Sequence, residues 1–534
     1  MRAGSASGTR QRQARADRTR AGQADAAAAN TGPIAWPTVS AGTADQPVLI
    51  ASNRGPVSFR LGDDGRLSAR RGGGGLVSGL SSVTDHTGAV LWVCAALGDA
   101  DRAAARQAPE GRMGPDGTPG GSGVRMLDIP PAVFHRAYNA VANSTLWFVH
   151  HMLYDTPNQP AFGIAFGREW DSFRSYNRAF AEALAQDAGP AGRDARPVRA
   201  LVQDYHLTLT PRMLADLRPD VRIAHFSHTP WAPPAYYRML PDAVSREVLD
   251  GLLGADHAGF LCQRWADAFL DCCEAVLGPD GAEVDRAGQR VSYRGHVTEV
   301  GVHPLGVAAA ELTARAAEPD VQARMATLTE ATGDRKLIVR IDRTELSKNI
   351  VRGLAAYREL LIAHPQWRGR VVHVAFAYPS RHDLPEYREY TARVQRLARE
   401  ISEEFGTADW DPLILQVDDD YARSLAAYRL ADVLLVNPIR DGMNLVAKEG
   451  PILSDRGCAL VLSREAGAAA ELHADALMIN PFDVSGTAQA LHEALLMSDS
   501  ERKRRARSLA LAASAVPPAA WFASQLAALD RLER

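Results

Sequence analysis

Lys336-Leu-Ile-Val-Arg-Ile341, a helix-period stretch over 353–364, then Val371-Val-His-Val-Ala-Phe376: this passage decides the fold. A near-continuous apolar strand has no face to offer water, so it is buried on both sides. A helix between two such strands lets them pair in parallel. The same unit recurs along the chain. Apolar strands are predicted at Leu413–Val417, Val433–Val436, Ala459–Leu462 and Ala476–Ile479, with helical periodicity over 384–405 and 420–431. An earlier series comprises Pro47–Ala51, Ala89–Cys94, Arg199–Gln203 and Val221–Phe226, with a helix over 170–187. Two series predict two doubly wound α/β domains whose ligands bind beyond the carboxyl ends of the strands, in a central cleft between them.

The break between the series is expected after Val307, where Ala and Glu replace the strand pattern as far as about residue 330. The expected organisation is a tail at 1–46, a first Rossmann-like domain at 47–310, a second at 311–515, and a final helix at 516–534 with the reach to cross back to the first domain. Three Gly-, Pro- and Asp-rich stretches, 102–124, 186–198 and 278–290, are expected to be irregular loops.

Composition narrows the function classes. The 534 residues are 46% hydrophobic and 23% charged with a net charge of −3, which excludes a mostly disordered chain, a collagen-like fibre and a small disulfide scaffold. The tail holds six arginines against Asp17, Asp25 and Asp45 and too little apolar surface to fold. An Arg-rich start is also compatible with a transit peptide or a nucleic-acid arm. Without the tail the body is acidic, which argues against general nucleic-acid binding. Cys94, Cys262, Cys272, Cys273 and Cys458 make no CxxC pair and no disulfide framework, so a reducing cytoplasm is expected. No apolar run is read as long enough to span a bilayer, and no secretory signal is read. Of the 60 basic residues only Lys336, Lys348, Lys448 and Lys503 are lysines. Coding bias toward arginine accounts for that. It also leaves each lysine as a place where a compact ammonium is preferred to a planar fork.

Five constellations carry chemistry. Arg54, in Ser52-Asn-Arg54-Gly-Pro56 past a strand end, is placed to fork onto a phosphate or carboxylate, and Gly72–Gly75 brings backbone N–H groups close to an anion. A flexible turn has the same composition, and neither a P-loop nor GxGxxG is present. In Tyr138-Asn139-x-x-x-Asn143-x-x-Leu146-Trp147 the two amides and the indole fall at helical spacing, as a sugar site or a core stripe would have them. Gln203-Asp204-Tyr205-His206 and Phe226-Ser-His228 end consecutive strands, so Asp204 and His228 can share the cleft; a hydrogen-bonded core histidine is the alternative. Arg343 and Lys348 flank a turn after Arg340-Ile-Asp and suit the two charges of a pyrophosphate, with Ser380-Arg381 adding a further cation. Last, Asp441-Gly442-Met443-Asn444-Leu445 is expected to open a helix whose N–H groups cradle a phosphate or a sugar hydroxyl. Glu449, two turns deeper, can accept both hydroxyls of a ribose or face solvent. No metal-ligand pattern is present.

Taken together, Ser52-Asn-Arg54, Gly74-Gly75-Leu76, Asp204-Tyr-His206, the Arg343…Lys348 spacing and Asp441-Gly-Met-Asn-Leu-Val-Ala-Lys-Glu449 resemble the signatures of the retaining trehalose-6-phosphate synthase family, glycosyltransferase family 20, in order, over residues 48 to 495. The resemblance implies the two-domain GT-B fold. It also implies transfer of glucose from a nucleoside-diphosphate glucose to glucose 6-phosphate with anomeric retention, and no metal or other cofactor. It further implies an acceptor pocket of Arg54, Trp92, Tyr138, Trp147, Asp204 and Arg381. The implied donor site comprises Gly74, Gly75, Arg343, Lys348, Gly442, Met443, Asn444, Leu445 and Glu449. His228 and Asp441 would hold the donor glucose, while Arg343 and Lys348 stabilise the leaving diphosphate in a front-face mechanism.

Three departures bear on specificity. The family's Arg-Leu-Asp-Tyr-x-Lys-Gly is here Arg343-Thr-Glu-Leu-Ser-Lys348-Asn349, a second tryptophan is replaced by Ala95, and a histidine before Asp-Tyr-His is Gln203. They leave the donor open between UDP-glucose, the family default, and GDP- or ADP-glucose. The partners expected are these small molecules, with a separate phosphatase acting downstream, no nucleic acid or membrane, and room for a homo-oligomer. The alternatives are a related transferase making another glycoside or a validamycin-type coupling to an amine, and a catalytically silent sugar-phosphate-binding regulator.

Overall fold

Val48-Leu-Ile-Ala-Ser52 is buried at every position, as a strand covered on both faces must be. It forms β1 of a computed structural model that describes residues 48–62, 65–71, 90–114, 117, 123–190, 197–381 and 383–532. The tail 1–46 and the Gly72–Gly75 run, with the donor assignments to Gly74 and Gly75, lie outside the described residues. The remaining strands of the first half are β2 (Val57–Leu61), β3 (Leu67–Arg71), β4 (Val90–Ala95), β5 (Arg112–Met113), β6 (Val124–Leu127), β7 (Arg199–Gln203), β8 (Arg222–Ser227), β9 (His257–Phe260), β10 (Glu283–Asp285), β11 (Arg290–Tyr293) and β12 (His296–Val302). Those of the second half are β13 (Lys336–Arg343), β14 (Val371–Tyr378), β15 (Leu413–Gln416), β16 (Val433–Val436), β17 (Ala459–Ser463) and β18 (Leu477–Ile479).

They build two large sheets. The first runs β10-β11-β12-β9-β8-β7-β1-β4-β6-β5, parallel from β12 to β6 with antiparallel strands at both edges. The second, β15-β14-β13-β16-β17-β18, is parallel throughout. In each, strand order reverses beside a central strand, β1 or β13, and the crevice beyond the carboxyl ends opens there. The helices used below are α1 (Ile164–Asp187), α2 (Ile350–Ala363), α3 (Pro385–Phe405), α4 (Tyr421–Leu430), α5 (Val446–Leu453), α6 (Asp499–Ser514) and α7 (Pro518–Arg531).

Several expectations change. The stretch 102–124 is not all loop: Asp99–Gln107 is helical, because Asp101 accepts from the N–H groups of Phe59, Leu97 and Gly98 and so anchors the first turn. In 278–290 the chain forms β10 and begins β11, paired by a sheet edge that sequence periodicity does not see. β9 escaped prediction because His257 and Gly259 interrupt its apolar pattern. Gly259 is there because a Cβ would lie 2.6 Å from the Phe226 ring. Residues 499–531 do contain a window apolar enough to cross a membrane, contrary to the sequence reading. The chain there is two helices separated at Pro517, and α7 lies against β8 and β9 of the first sheet.

Candidate active site

The first sheet supplies one wall. Past β1, Ser52 Oγ donates to the Arg54 carbonyl at 2.7 Å and accepts from Trp92 Nε1 at 2.7 Å. This tightens the turn that turns Arg54 outward, and Arg54 is exposed. Trp92 itself is 1% exposed. It braces the Arg54 loop from behind, with its indole N–H donated inside the wall.

At the end of β7, Asp204 has φ +75° and ψ 170°, a conformation rare outside glycine and costing about 1–3 kcal/mol. The Asp204 N–H donates to the Phe226 carbonyl at 2.7 Å, and Oδ1 accepts from the His228 N–H at 3.3 Å. The strained turn therefore locks two strand ends together. Burial raises the Asp204 carboxyl to about 6. Tyr138 stacks between Phe134 at 5.2 Å and His206 at 5.6 Å, forming the floor beside it.

The segment Arg136–Leu146 is wound as a π-helix rather than the expected α-helix. It separates the three residues read as one face. Asn143 is buried and accepts from Tyr205 Oη at 2.8 Å, whereas Asn139 lines a cavity of about 660 Å³ shared with Phe148, Tyr154 and, from the second half, Leu384 and Glu386. Trp147 faces inward, stacked on His151 at 3.8 Å and capped by the Arg381 guanidinium at 4.1 Å.

The second sheet supplies the other wall. Arg381 follows β14, with φ +47°, and bonds Tyr387 Oη at 2.6 Å and Tyr205 Oη at 3.2 Å, so a cation from the second half is seated on aromatic groups of the first. At the end of β13, Arg343 is half-exposed, and Lys348, in the turn that follows, is sunk behind it. The left-handed Asn349 (φ +57°) ends the turn between them. The family's glycine is thus replaced by the non-glycine residue that best tolerates this region. Its side-chain amide donates to the carbonyls of Asn437 and Pro481 at 3.0 and 2.7 Å.

Lys348 Nζ donates to Asp441 Oδ2 at 2.6 Å, and Asn444 Nδ2 donates to the same oxygen at 3.1 Å. Burial pushes the Asp441 carboxyl upward, but Lys348 outweighs it and holds the carboxyl below its usual range. Burial works against the Lys348 ammonium too, and Asp441, Asp342 and Glu345 overcome it, so its pKa is raised. The helix expected to open at Asp441 starts at Val446, as α5. Asp441 and Gly442 lie in the loop before it, and Asn444, with φ +85°, caps the first turn through the Ala447 N–H at 3.1 Å. Leu445 stands at its N-terminus. Met443 is buried beside Asp441 and donates its N–H to Oδ1 at 3.4 Å.

Glu449, in the first turn of α5, accepts from Tyr428 Oη of α4 at 3.2 Å, and burial raises its carboxyl to about 7. Lys448 points away from the cleft. Its ammonium bonds the Leu305 carbonyl and both oxygens of Glu471 at 2.7–2.8 Å, a structural tie.

The walls meet at His228. Its Nε2 lies 3.0 Å from Gln203 Oε1, and the ring packs on Phe226 at 4.8 Å and on Trp521 of α7 at 5.6 Å. Burial lowers its pKa to about 3, so the ring is neutral. With Gln203 Oε1 accepting, Nε2 carries the proton. A Cβ on Gly442 would collide with the His228 carbonyl, so the loops of the two sheets touch backbone to backbone here. Trp521, Glu345 and Tyr387 were not legible as site residues. Each is an ordinary element residue until the fold brings it to the cleft, although Glu345 lies inside the motif that was read. Among the described residues no group of three or more His, Cys, Asp or Glu side chains is placed to hold a metal ion.

Two doubly wound sheets facing each other across phosphate-suited cations and a neutral histidine define a GT-B glycosyltransferase fold. The sequence profile of glycosyltransferase family 20 matches residues 46–531. The chain belongs to glycosyltransferase family 20. It is 32% identical to α,α-trehalose-phosphate synthase [UDP-forming] 2 of Aspergillus niger, covering 92% of this chain and 98% of that protein. It is 35% identical to a bifunctional trehalose-6-phosphate synthase/phosphatase of Thermoproteus tenax over 73% of this chain, and spans about half (51%) of that longer protein. A UDP-forming α,α-trehalose-phosphate synthase of Burkholderia xenovorans, solved in complex with glucose 6-phosphate, superposes with a TM-score of 0.75 at 25% identity, covering 91% of this chain and 100% of that one.

Proposed function

We propose that this chain transfers glucose from UDP-glucose to glucose 6-phosphate with retention, releasing α,α-trehalose 6-phosphate and UDP. The observation that carries it is the meeting of two phosphate-suited sets across one backbone contact. Arg343 and Lys348 lie on the donor side, Arg54 and Arg381 on the acceptor side, and the His228–Gly442 junction lies between them. In this reading the donor's C1–O bond to the β-phosphate breaks and C1 bonds to O1 of glucose 6-phosphate. The proton on O1 passes to the departing phosphate oxygen on the same face. Arg343 and Lys348 meet the negative charge that grows there, the kind of pre-placed donor worth about 10²–10³ in rate. His228 and Asp441 hold the donor glucose, and Glu449 accepts from the ribose hydroxyls.

The Aspergillus and Burkholderia relatives, both named as UDP-forming, support uridine as the nucleobase. The free, buried cysteines suit a cytoplasmic location. A separate phosphatase for the product and self-association belong to the same reading. Incubation with glucose 6-phosphate and UDP-, GDP- or ADP-glucose in turn tests it, with the released nucleotide measured and the product's anomeric configuration read by NMR. UDP release with an α,α-linked product is expected. No nucleotide released from any donor overturns it.

A further inference from the structure

Glu345 lies between Arg343 and Lys348, and its side chain has no exposed surface. Oε1 pairs with Arg343 Nη1 at 3.0 Å and accepts from Ser380 Oγ at 2.8 Å. Oε2 is buried with no hydrogen-bond partner among the described residues. Ser380 immediately precedes Arg381, so the carboxylate sits between the turn that carries the donor-side cations and the turn that carries the acceptor-side one. Arg381 itself rests on aromatic and phenolic groups, Trp147, Tyr205 and Tyr387, and among the described residues it makes no ion pair of its own.

We propose that Glu345 is a positioning residue: one buried carboxylate that the donor-side Arg343 and Lys348 share with the acceptor-side Arg381, so that filling either phosphate site is felt at the other. The inference rests on the donor and acceptor assignments above.

The physical reason is the cost of a buried charge without a partner. Burial pushes the Glu345 carboxyl upward, but Arg343, then Arg381 and Lys348, outweigh it and hold it down at about 2, so it stays ionised. Arg343, half-exposed, is the cation free to swing onto a donor diphosphate. Lys348 is already committed to Asp441. When a diphosphate draws Arg343 off, Glu345 turns to Arg381 for compensation, and Arg381 is the cation that an acceptor phosphate needs. The converse holds when the acceptor phosphate arrives first, as linkage requires.

The test is calorimetric binding of UDP and of glucose 6-phosphate to the full chain, each alone and with the other saturating. The coupling factor is the ratio of the two dissociation constants for glucose 6-phosphate. In Glu345→Gln the coupling factor should differ from wild type by about 5-fold or more, the lower end of ordinary allosteric coupling. Glu345→Asp, which keeps the charge, should stay within about 2-fold on the same scale. Ser380→Ala leaves all three cations and the carboxylate in place; it should move the factor in the same direction by about 2-fold or more. Should Glu345→Gln fail to fold, Ser380→Ala decides the matter alone. An unchanged factor in a folded Glu345→Gln or Ser380→Ala chain, or a wild-type factor of one, overturns the inference. Wild type binding neither ligand overturns the functional reading beneath it as well.

Discussion

Lys348 fills a slot shaped for an ammonium. Its Nζ meets Asp441 Oδ2 at 2.6 Å with only 15% of the side chain exposed, a contact made by a compact ammonium rather than a planar fork. In a chain of four lysines it is the one whose chemistry arginine cannot supply, whereas Lys448 is spent on Leu305 and Glu471. Lys348→Arg is therefore expected to lose kcat/KM by about 10²-fold or more while keeping its charge; nucleotide release, alongside an unchanged melting temperature, checks it. Glu449 gives a pH dependence. Its folded carboxyl, raised to about 7 by burial, retains a proton that the unfolded chain has lost. Its contribution to stability is thus full below the ordinary glutamate range and lost as pH rises through 7. Donor binding runs the other way, because a ribose hydroxyl needs the ionised form. The KM for the nucleotide sugar should fall by about 3-fold or more from pH 6 to pH 8, and Glu449→Gln should flatten that profile. Asn349 shows how far a single residue is readable. The family's glycine is replaced by Asn349, and its φ of +57° is a conformation that asparagine accepts.

At the scale of elements, the apolar strands were legible because burial on both faces writes itself as an unbroken run, as β1, β13, β14, β16 and β17 do. β5 and β10 were not, because strands of two or three residues are made by their neighbours' hydrogen bonds rather than by their own pattern, and β9 was not, because His257 and Gly259 break its apolar run. α7 illustrates the same limit for a site. Its helical character was plain after Pro517, but its address was not. Trp521 packs edge-on to Phe226 at 5.1 Å, Ser524 meets His303 at 2.7 Å, and Asp530 pairs with Arg199 at 3.2 Å. Trp521→Ala should cost about 3–5 kcal/mol in denaturant unfolding, as buried aromatic truncations do. Because the indole also packs on His228, kcat should fall in the molecules that remain folded, measured at a temperature well below the transition.

For the whole molecule, the decisive contact is between the two sheets. Gly442 admits no Cβ because the His228 carbonyl lies against it, and Gly467 admits none because the Gly442 carbonyl lies against that in turn. Trp265, from the first half, donates its indole N–H to the Gly442 carbonyl at 3.0 Å, and Arg264 pairs with Glu465 at 2.5 Å. Gly442→Ala should therefore wedge the loops apart. Turnover should drop by about 10²-fold or more, the scale of a misplacement of about 1 Å, with far-UV circular dichroism unchanged. By itself the sequence determined what is local: which runs are strands, where the turns carry Arg54, Asp204, Arg343, Lys348 and Asp441, and hence a parallel α/β chain with phosphate-suited strand ends. Burial period and turn chemistry act over a few residues, so a few residues suffice to show them. Only the tertiary structure decided that Trp92 braces a wall, that Asn139 and Asn143 face different surroundings, that Glu345 sits among three cations and that α7 seats a tryptophan on His228. Each of those depends on groups tens to hundreds of residues apart sharing one low-dielectric site, and no local pattern records that.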